Sequence, residues 1–67
     1  MTSIYHIGID LGGTKIEVAV LDSQNKILFR ERLLTEAHLG NEHIFHQIHT
    51  LYSKAVLSIQ KIGRAHV

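Results

Sequence analysis

A pair of glycines between two strand-like runs constrains this chain most. Residues 4–10 and 16–21 are rich in apolar and β-branched side chains, which favour extended backbone. Gly12 and Gly13 stand between the two runs. Adjacent glycines at this position are typical of the tight turn of a hairpin. We therefore predict that the two runs pair as antiparallel strands.

The following residues predict a third strand and then a loop. A polar turn with the sequence S-Q-N-K occupies residues 23–26, and the third strand is predicted over Ile27–Leu34. Residues 35–41 predict the loop. In it, Gly40 interrupts regular secondary structure and Asn41 serves as the N-cap of a helix. Glu42 then lies in the first helical turn, where an acidic side chain is favourable.

A long amphipathic helix is predicted over residues 42–62. Its apolar residues recur every three or four positions, at Ile44, Ile48, Leu51, Ala55, Ile59 and Ile62. The predicted fold is an α/β arrangement with the order β-β-β-α, in which an antiparallel three-stranded meander precedes one long helix. The apolar stripe of the helix is expected to pack on one face of the sheet.

Size and composition limit the classes of function. A chain of 67 residues buries only ~60% of the surface exposed when it is unfolded, and it has no cysteine for a disulfide or a thiolate zinc site. It is therefore a marginal small domain or a piece of a larger protein. The net charge of +1 without a basic block argues against nucleic-acid binding. No apolar run is long enough for a membrane span and no leader precedes the first strand, so a cytoplasmic protein is expected.

The glycine turn carries the chemistry that suits a nucleotide phosphate. Gly12 and Gly13 lack a Cβ, so the backbone there can adopt positive φ and approach phosphate oxygens closely. Thr14 adds a hydroxyl donor and Lys15 adds a positive charge. Asp10, at the end of the first strand, is an oxygen ligand suited to Mg²⁺. An ordinary hairpin is the alternative, and for each residue taken alone it is the better explanation.

Two common phosphate loops are excluded by spacing. A P-loop requires lysine directly after its second glycine, whereas Thr14 follows Gly13. A dinucleotide fingerprint opens a helix, whereas this glycine pair opens a strand.

The sequence G-I-D-L-G-G-T-K, residues 8–15, resembles the first phosphate motif of ROK-type sugar kinases, which belong to the actin-like and hexokinase-like ATPase superfamily. The resemblance covers the chain to about residue 60. It implies the N-terminal part of a ribonuclease H-like ATPase domain that uses ATP and Mg²⁺. Asp10 is then expected to help hold Mg²⁺. Gly12, Gly13, Thr14 and Lys15 are expected to contact the β- and γ-phosphates of ATP.

The resemblance also implies which parts are absent from these residues. In ROK-type kinases the catalytic aspartate, the sugar-binding residues and a zinc motif lie further along the chain. No catalytic residue is assigned here, because Asp22, Glu36 and Glu42 fit a turn, a loop and a helix start. Family members often have a proline near Thr35, so this loop departs from the pattern.

The expected function is that of the ATP-phosphate-binding segment of a hexose or amino-sugar kinase, truncated and inactive alone. The family's repressors carry a DNA-binding domain ahead of this motif. Here the motif begins at residue 8, which favours the kinase branch. A regulatory ROK-type protein that binds ATP and sugar without catalysis is the first alternative. The sugar is left open, as is a homo-oligomeric parent.

Six histidines raise a second alternative, a small metal-binding or interaction module. His43, His46 and His49 follow the i, i+3 spacing that brings imidazoles together on a helix. A solvated polar face is the interpretation we favour, because no cysteine or carboxylate cluster completes a ligand set. His6 is interpreted as a packing residue, and Leu57 as an exposed leucine on the polar side.

The last six residues, I-G-R-A-H-V, match the peptide encoded by one reading frame of a widely used sequencing adapter. We therefore divide the chain into an incomplete kinase segment, residues 1–61, and an adapter-derived tail, residues 62–67. The alternative is a natural helix end, with Gly63 at the position after the C-cap.

Overall fold

The computed structural model describes residues 4–65, with side chains described as far as residue 62. Three strands, a short 3₁₀ helix and one long helix follow one another along the chain. They are β1 (His6–Leu11), β2 (Lys15–Leu21), β3 (Ile27–Leu34), the 3₁₀ helix (Ala37–Leu39) and α1 (Asn41–Ala65). The β-β-β-α order is confirmed.

The strands form an antiparallel sheet in the order β1-β2-β3. The predicted meander is therefore confirmed, although β1 begins and ends slightly later than expected. In the turn between β2 and β3, one carboxylate oxygen of Asp22 accepts the N–H groups of Gln24 at 2.8 Å and Lys26 at 2.9 Å. Asn25 adopts a positive φ of 63°, which asparagine tolerates better than most residues. The register shifts between Val20 and Leu21, just before this turn.

The core lies between the central strand and the helix. Successive side chains of a strand point to opposite faces, so alternate residues of β2 meet α1. Ile16, Val18 and Val20 of β2 are fully buried with Leu51 and Ala55 of α1. The helix packs on β2 and β3. The rest of the predicted stripe, from Ile44 through Ile48 to Ile59, lies half-buried around this core.

The two ends of the helix differ from the prediction. Asn41 is the first helical residue and not the N-cap; Gly40 precedes it with a φ of 96°, and its carbonyl accepts the N–H of Ile44 at 3.3 Å. Glycine suits this place because its backbone adopts positive φ without strain. Glu42 lies in the first turn as expected.

At the other end, the helix continues through Gly63 to Ala65, so it does not end at Gly63. One glycine weakens a helix without stopping it. His66 and Val67 of the tail predicted at residues 62–67 lie outside the described residues. Although α1 is long, no helix in the described part of the chain is apolar enough over 18 residues to cross a membrane.

A salt bridge joins the helix to β3. The ammonium of Lys54 lies 2.9 Å from a carboxylate oxygen of Glu31. Glu31 faces the helix side of the sheet, because its register partner is the buried Val18. The lysine therefore compensates a carboxylate that the helix partly covers.

Candidate functional site

The turn between β1 and β2 is closed by one hydrogen bond. The N–H of Gly12 donates to the carbonyl of Lys15 at 3.0 Å. A Cβ on Gly12 would lie 3.0 Å from that same oxygen, closer than side chains normally come to a backbone atom. Glycine is therefore needed at residue 12 for close approach within the hairpin itself.

The glycine pair does not use the positive φ that glycine permits. In the described part of the chain, positive φ occurs at Asn25, Glu36 and Gly40, and at neither Gly12 nor Gly13. The hairpin closes through the approach of Gly12 to Lys15 and needs no left-handed residue. A Cβ on Gly13 would meet no atom of the described residues within 4 Å, so the surface at Gly13 has room for a ligand.

The N–H groups beyond Gly12 are free to bind an anion. Among the described residues, neither Gly13 nor Thr14 donates its backbone N–H to a protein acceptor. Both residues are exposed. Successive unpaired N–H groups in a turn are the arrangement that binds phosphate groups in proteins.

Thr35 fastens this turn to the end of β3. Its hydroxyl donates to the carbonyl of Gly12 at 2.8 Å, and its N–H donates to the carbonyl of Thr14 at 2.8 Å. Thr35 is only 2% exposed, and no other polar residue in the described part of the chain is buried. Sequence reasoning did not assign it a role. The signal available was its place in the loop that departs from the family pattern.

A shallow hollow of about 360 Å³ opens beside the turn. Its lining residues come from the turn, the end of β3 and the 3₁₀ helix: Gly13, Thr14, Leu34, Glu36, Ala37 and His38. The carboxylate of Glu36 lies in contact with Nε2 of His43 on α1, at 3.0 Å. The hollow is therefore bounded on one side by the free turn N–H groups and on another by a carboxylate paired with the helix.

Asp10 lies elsewhere, on the sheet face that α1 does not cover. It lines a second hollow, of about 260 Å³, with residues that include Glu17 and Arg30. Its carboxylate forms no hydrogen bond or ion pair with the described residues. Lys15 is exposed at the start of β2 and lines neither hollow. The five predicted site residues thus share one end of the β1–β2 hairpin, but they do not line a single cavity.

A charged pair occupies the sheet face near Asp10. Nε of Arg30 donates to one oxygen of Glu17 at 2.6 Å, and Nη2 approaches the other at 3.4 Å. This hydrogen bond lowers the pKa of Glu17 and raises the pKa of Arg30. Asp10 is the register partner of Glu17. The Arg30–Glu17 pair therefore lies beside Asp10 on the face of the sheet that α1 does not cover.

Most of the histidines that the structure describes are exposed. His46 and His49 lie on the solvated face of α1, as does Leu57, which is 55% exposed. His43 differs, because it is half-buried against Glu36. The interpretation of His6 as a packing residue is wrong: it is exposed, since it faces away from the helix. Within the described residues, no three His, Cys, Asp or Glu side chains converge as a metal site would require.

Comparison with known families decides the relationship. The family model described as the ROK family matches residues 6–66. The chain belongs to the ROK family. This match spans the hairpin, the Thr35 loop and the helix, so the resemblance of residues 8–15 to the family's phosphate motif is part of a relationship along nearly the whole chain. Neither a curated protein nor a solved structure matches it significantly.

Proposed function

We propose that this chain is the ATP-phosphate-binding segment of an ATP-dependent kinase that acts on a hexose or an amino sugar. The ROK family match over residues 6–66 carries the proposal, because the family includes sugar kinases. The free N–H groups of Gly13 and Thr14 support it. They lie in an open turn where a phosphate can approach without displacing a protein partner.

The residues of the hairpin suit the roles expected of them in phosphoryl transfer. The turn N–H groups and the Thr14 hydroxyl would bind phosphate oxygens, and Lys15 would add positive charge. Asp10 has an exposed carboxylate without a partner among the described residues, and such an oxygen donor fits Mg²⁺ with several of its waters retained. The metal would neutralise charge on the phosphates. Lowering the charge and holding the phosphates in place are the main protein contributions to this reaction.

We propose that these residues supply one wall of a nucleotide cleft and that the sugar site and the catalytic base lie in further sequence. In this view residues 62–67 derive from an adapter, although the family match runs to residue 66, and the natural reading frame continues past Lys61. The experiment is to recover that frame and to express the full-length protein beside the 67-residue chain. ADP release is then measured over a panel of hexoses and amino sugars.

We expect sugar-dependent ADP release from the full-length protein and none from the 67-residue chain. Turnover by the short chain would contradict the proposed division of parts. A full-length protein that binds ATP but releases no ADP with any sugar would instead identify a regulatory member of the family.

Gly13→Val is expected to raise the KM for Mg·ATP in the full-length protein about tenfold or more, with the KM for sugar little changed. The branched side chain would occupy the space that lies open beside Gly13 and would keep phosphate oxygens from the turn N–H groups. The control is Ser23→Val, because Ser23 is also an exposed turn residue but lies between β2 and β3, at the opposite end of the sheet. Equal kinetics for Gly13→Val and the control would refute the assignment of the turn.

A further inference from the structure

We propose that Thr35 is a positioning residue for the phosphate turn, which it holds through the carbonyl groups on either side of Gly13. The inference rests on the proposed function. The residue lies at the end of β3, yet its hydroxyl reaches the carbonyl of Gly12 and its N–H reaches the carbonyl of Thr14, both at 2.8 Å. It therefore contacts the turn from both ends.

The two contacts determine which backbone groups are available to an anion. A carbonyl oxygen carries partial negative charge and repels phosphate, whereas an N–H group attracts it. Thr35 donates hydrogen bonds to the carbonyls of Gly12 and Thr14. The N–H groups of Gly13 and Thr14 are left without protein acceptors in the described chain. Donors fixed before the ligand arrives need no reorganisation during the reaction.

Burial makes this arrangement stiff. Thr35 is 2% exposed, and a hydrogen bond shielded from water is electrostatically stronger than the same bond at the surface. Loss of the hydroxyl would leave the Gly12 carbonyl without this donor, and the carbonyl would then be free to turn toward the phosphate side.

The helix supports the residues on either side of Thr35. Nε2 of Gln47 donates to the carbonyl of Leu34 at 3.0 Å, and His43 contacts Glu36 at 3.0 Å. Both partners belong to α1. A shift of the helix would therefore move the residues on either side of Thr35, and with them Thr35 and the turn that it contacts.

The test uses three variants of the full-length protein. Thr35→Val removes the hydroxyl and keeps the backbone N–H, whereas Thr35→Ser keeps both donors. The matched control is Thr50→Val, because the hydroxyl of Thr50 also donates to a backbone carbonyl, that of His46 at 2.9 Å, but within α1. Thermal unfolding of each variant establishes that it is folded.

Thr35→Val is expected to raise the KM for Mg·ATP roughly tenfold, the factor that corresponds to one lost hydrogen bond to a positioned group. The KM for sugar should stay within about twofold, and Thr35→Ser should restore most of the affinity for Mg·ATP. An unchanged KM for Mg·ATP in Thr35→Val, an equal rise in Thr50→Val, or no recovery in Thr35→Ser would overturn the proposal.

Amide hydrogen exchange gives a second measurement that does not depend on catalysis. In Thr35→Val, the N–H of Gly12, which closes the hairpin, should exchange about tenfold faster than it does in the unmutated full-length protein or in Thr50→Val. If the parent protein fails to use ATP, the proposed function is wrong, and exchange still decides whether Thr35 holds the turn. Unchanged exchange at Gly12 would overturn the positioning role even in an active kinase.

Discussion

Asp10→Ala is expected to reduce the turnover of the full-length protein at limiting Mg·ATP about 10²- to 10³-fold, the usual effect of removing one group that stabilises transition-state charge. The carboxylate lies exposed near the glycine turn and has no partner among the described residues, so its loss removes the proposed Mg²⁺ ligand and none of the contacts among those residues. The affinity for sugar should change much less. Initial rates at varied Mg·ATP, with sugar binding measured separately, test this expectation.

Asp22→Ala is the control for Asp10→Ala. Asp22 directly follows β2, whereas Asp10 lies within β1, and Asp22 is at the opposite end of the sheet, where its carboxylate accepts two backbone N–H groups of a turn. Its loss should lower stability by about 1 kcal/mol and leave the KM for Mg·ATP unchanged. If Asp10→Ala retained parental turnover at limiting Mg·ATP, the assignment of Asp10 to the metal would be wrong.

Leu51→Ala is expected to lower the free energy of unfolding by about 2–5 kcal/mol, because it leaves a cavity among fully buried side chains. Leu51 has no exposed surface, and it packs from α1 against buried side chains of the central strand β2. A single core in a chain this short rarely supplies more than about 3–5 kcal/mol. The truncation should therefore remove most or all of the marginal stability that the 67-residue chain has alone, as measured by circular dichroism during urea unfolding.

The corresponding surface variant is Leu57→Ala. Leu57 lies on the same helix and is 55% exposed, so its truncation should change stability by no more than about 0.5 kcal/mol. Similar losses for the two leucines would show that α1 does not pack on the sheet through its predicted stripe.

The sequence by itself determined the order of the elements and the side of the helix that packs. The β2 residues alternate between core and opposite face, and the helix stripe repeats every three or four residues, so both patterns are readable from neighbouring positions. The glycine pair placed the hairpin turn. The motif at residues 8–15 indicated the family that the match over residues 6–66 established.

Only the tertiary structure decided how the turn is held and which side chains contact its surroundings. Thr35 contacts Gly12 across 23 residues of sequence, and no local pattern reports such a partner. The exposure of His6 depends on which sheet face the helix covers, and the contact of His43 with Glu36 depends on the path of the loop between β3 and α1. Periodicity shows which residues of one element share a face. Hydrogen bonds between distant segments form only after packing has brought those segments together, so periodicity does not predict them.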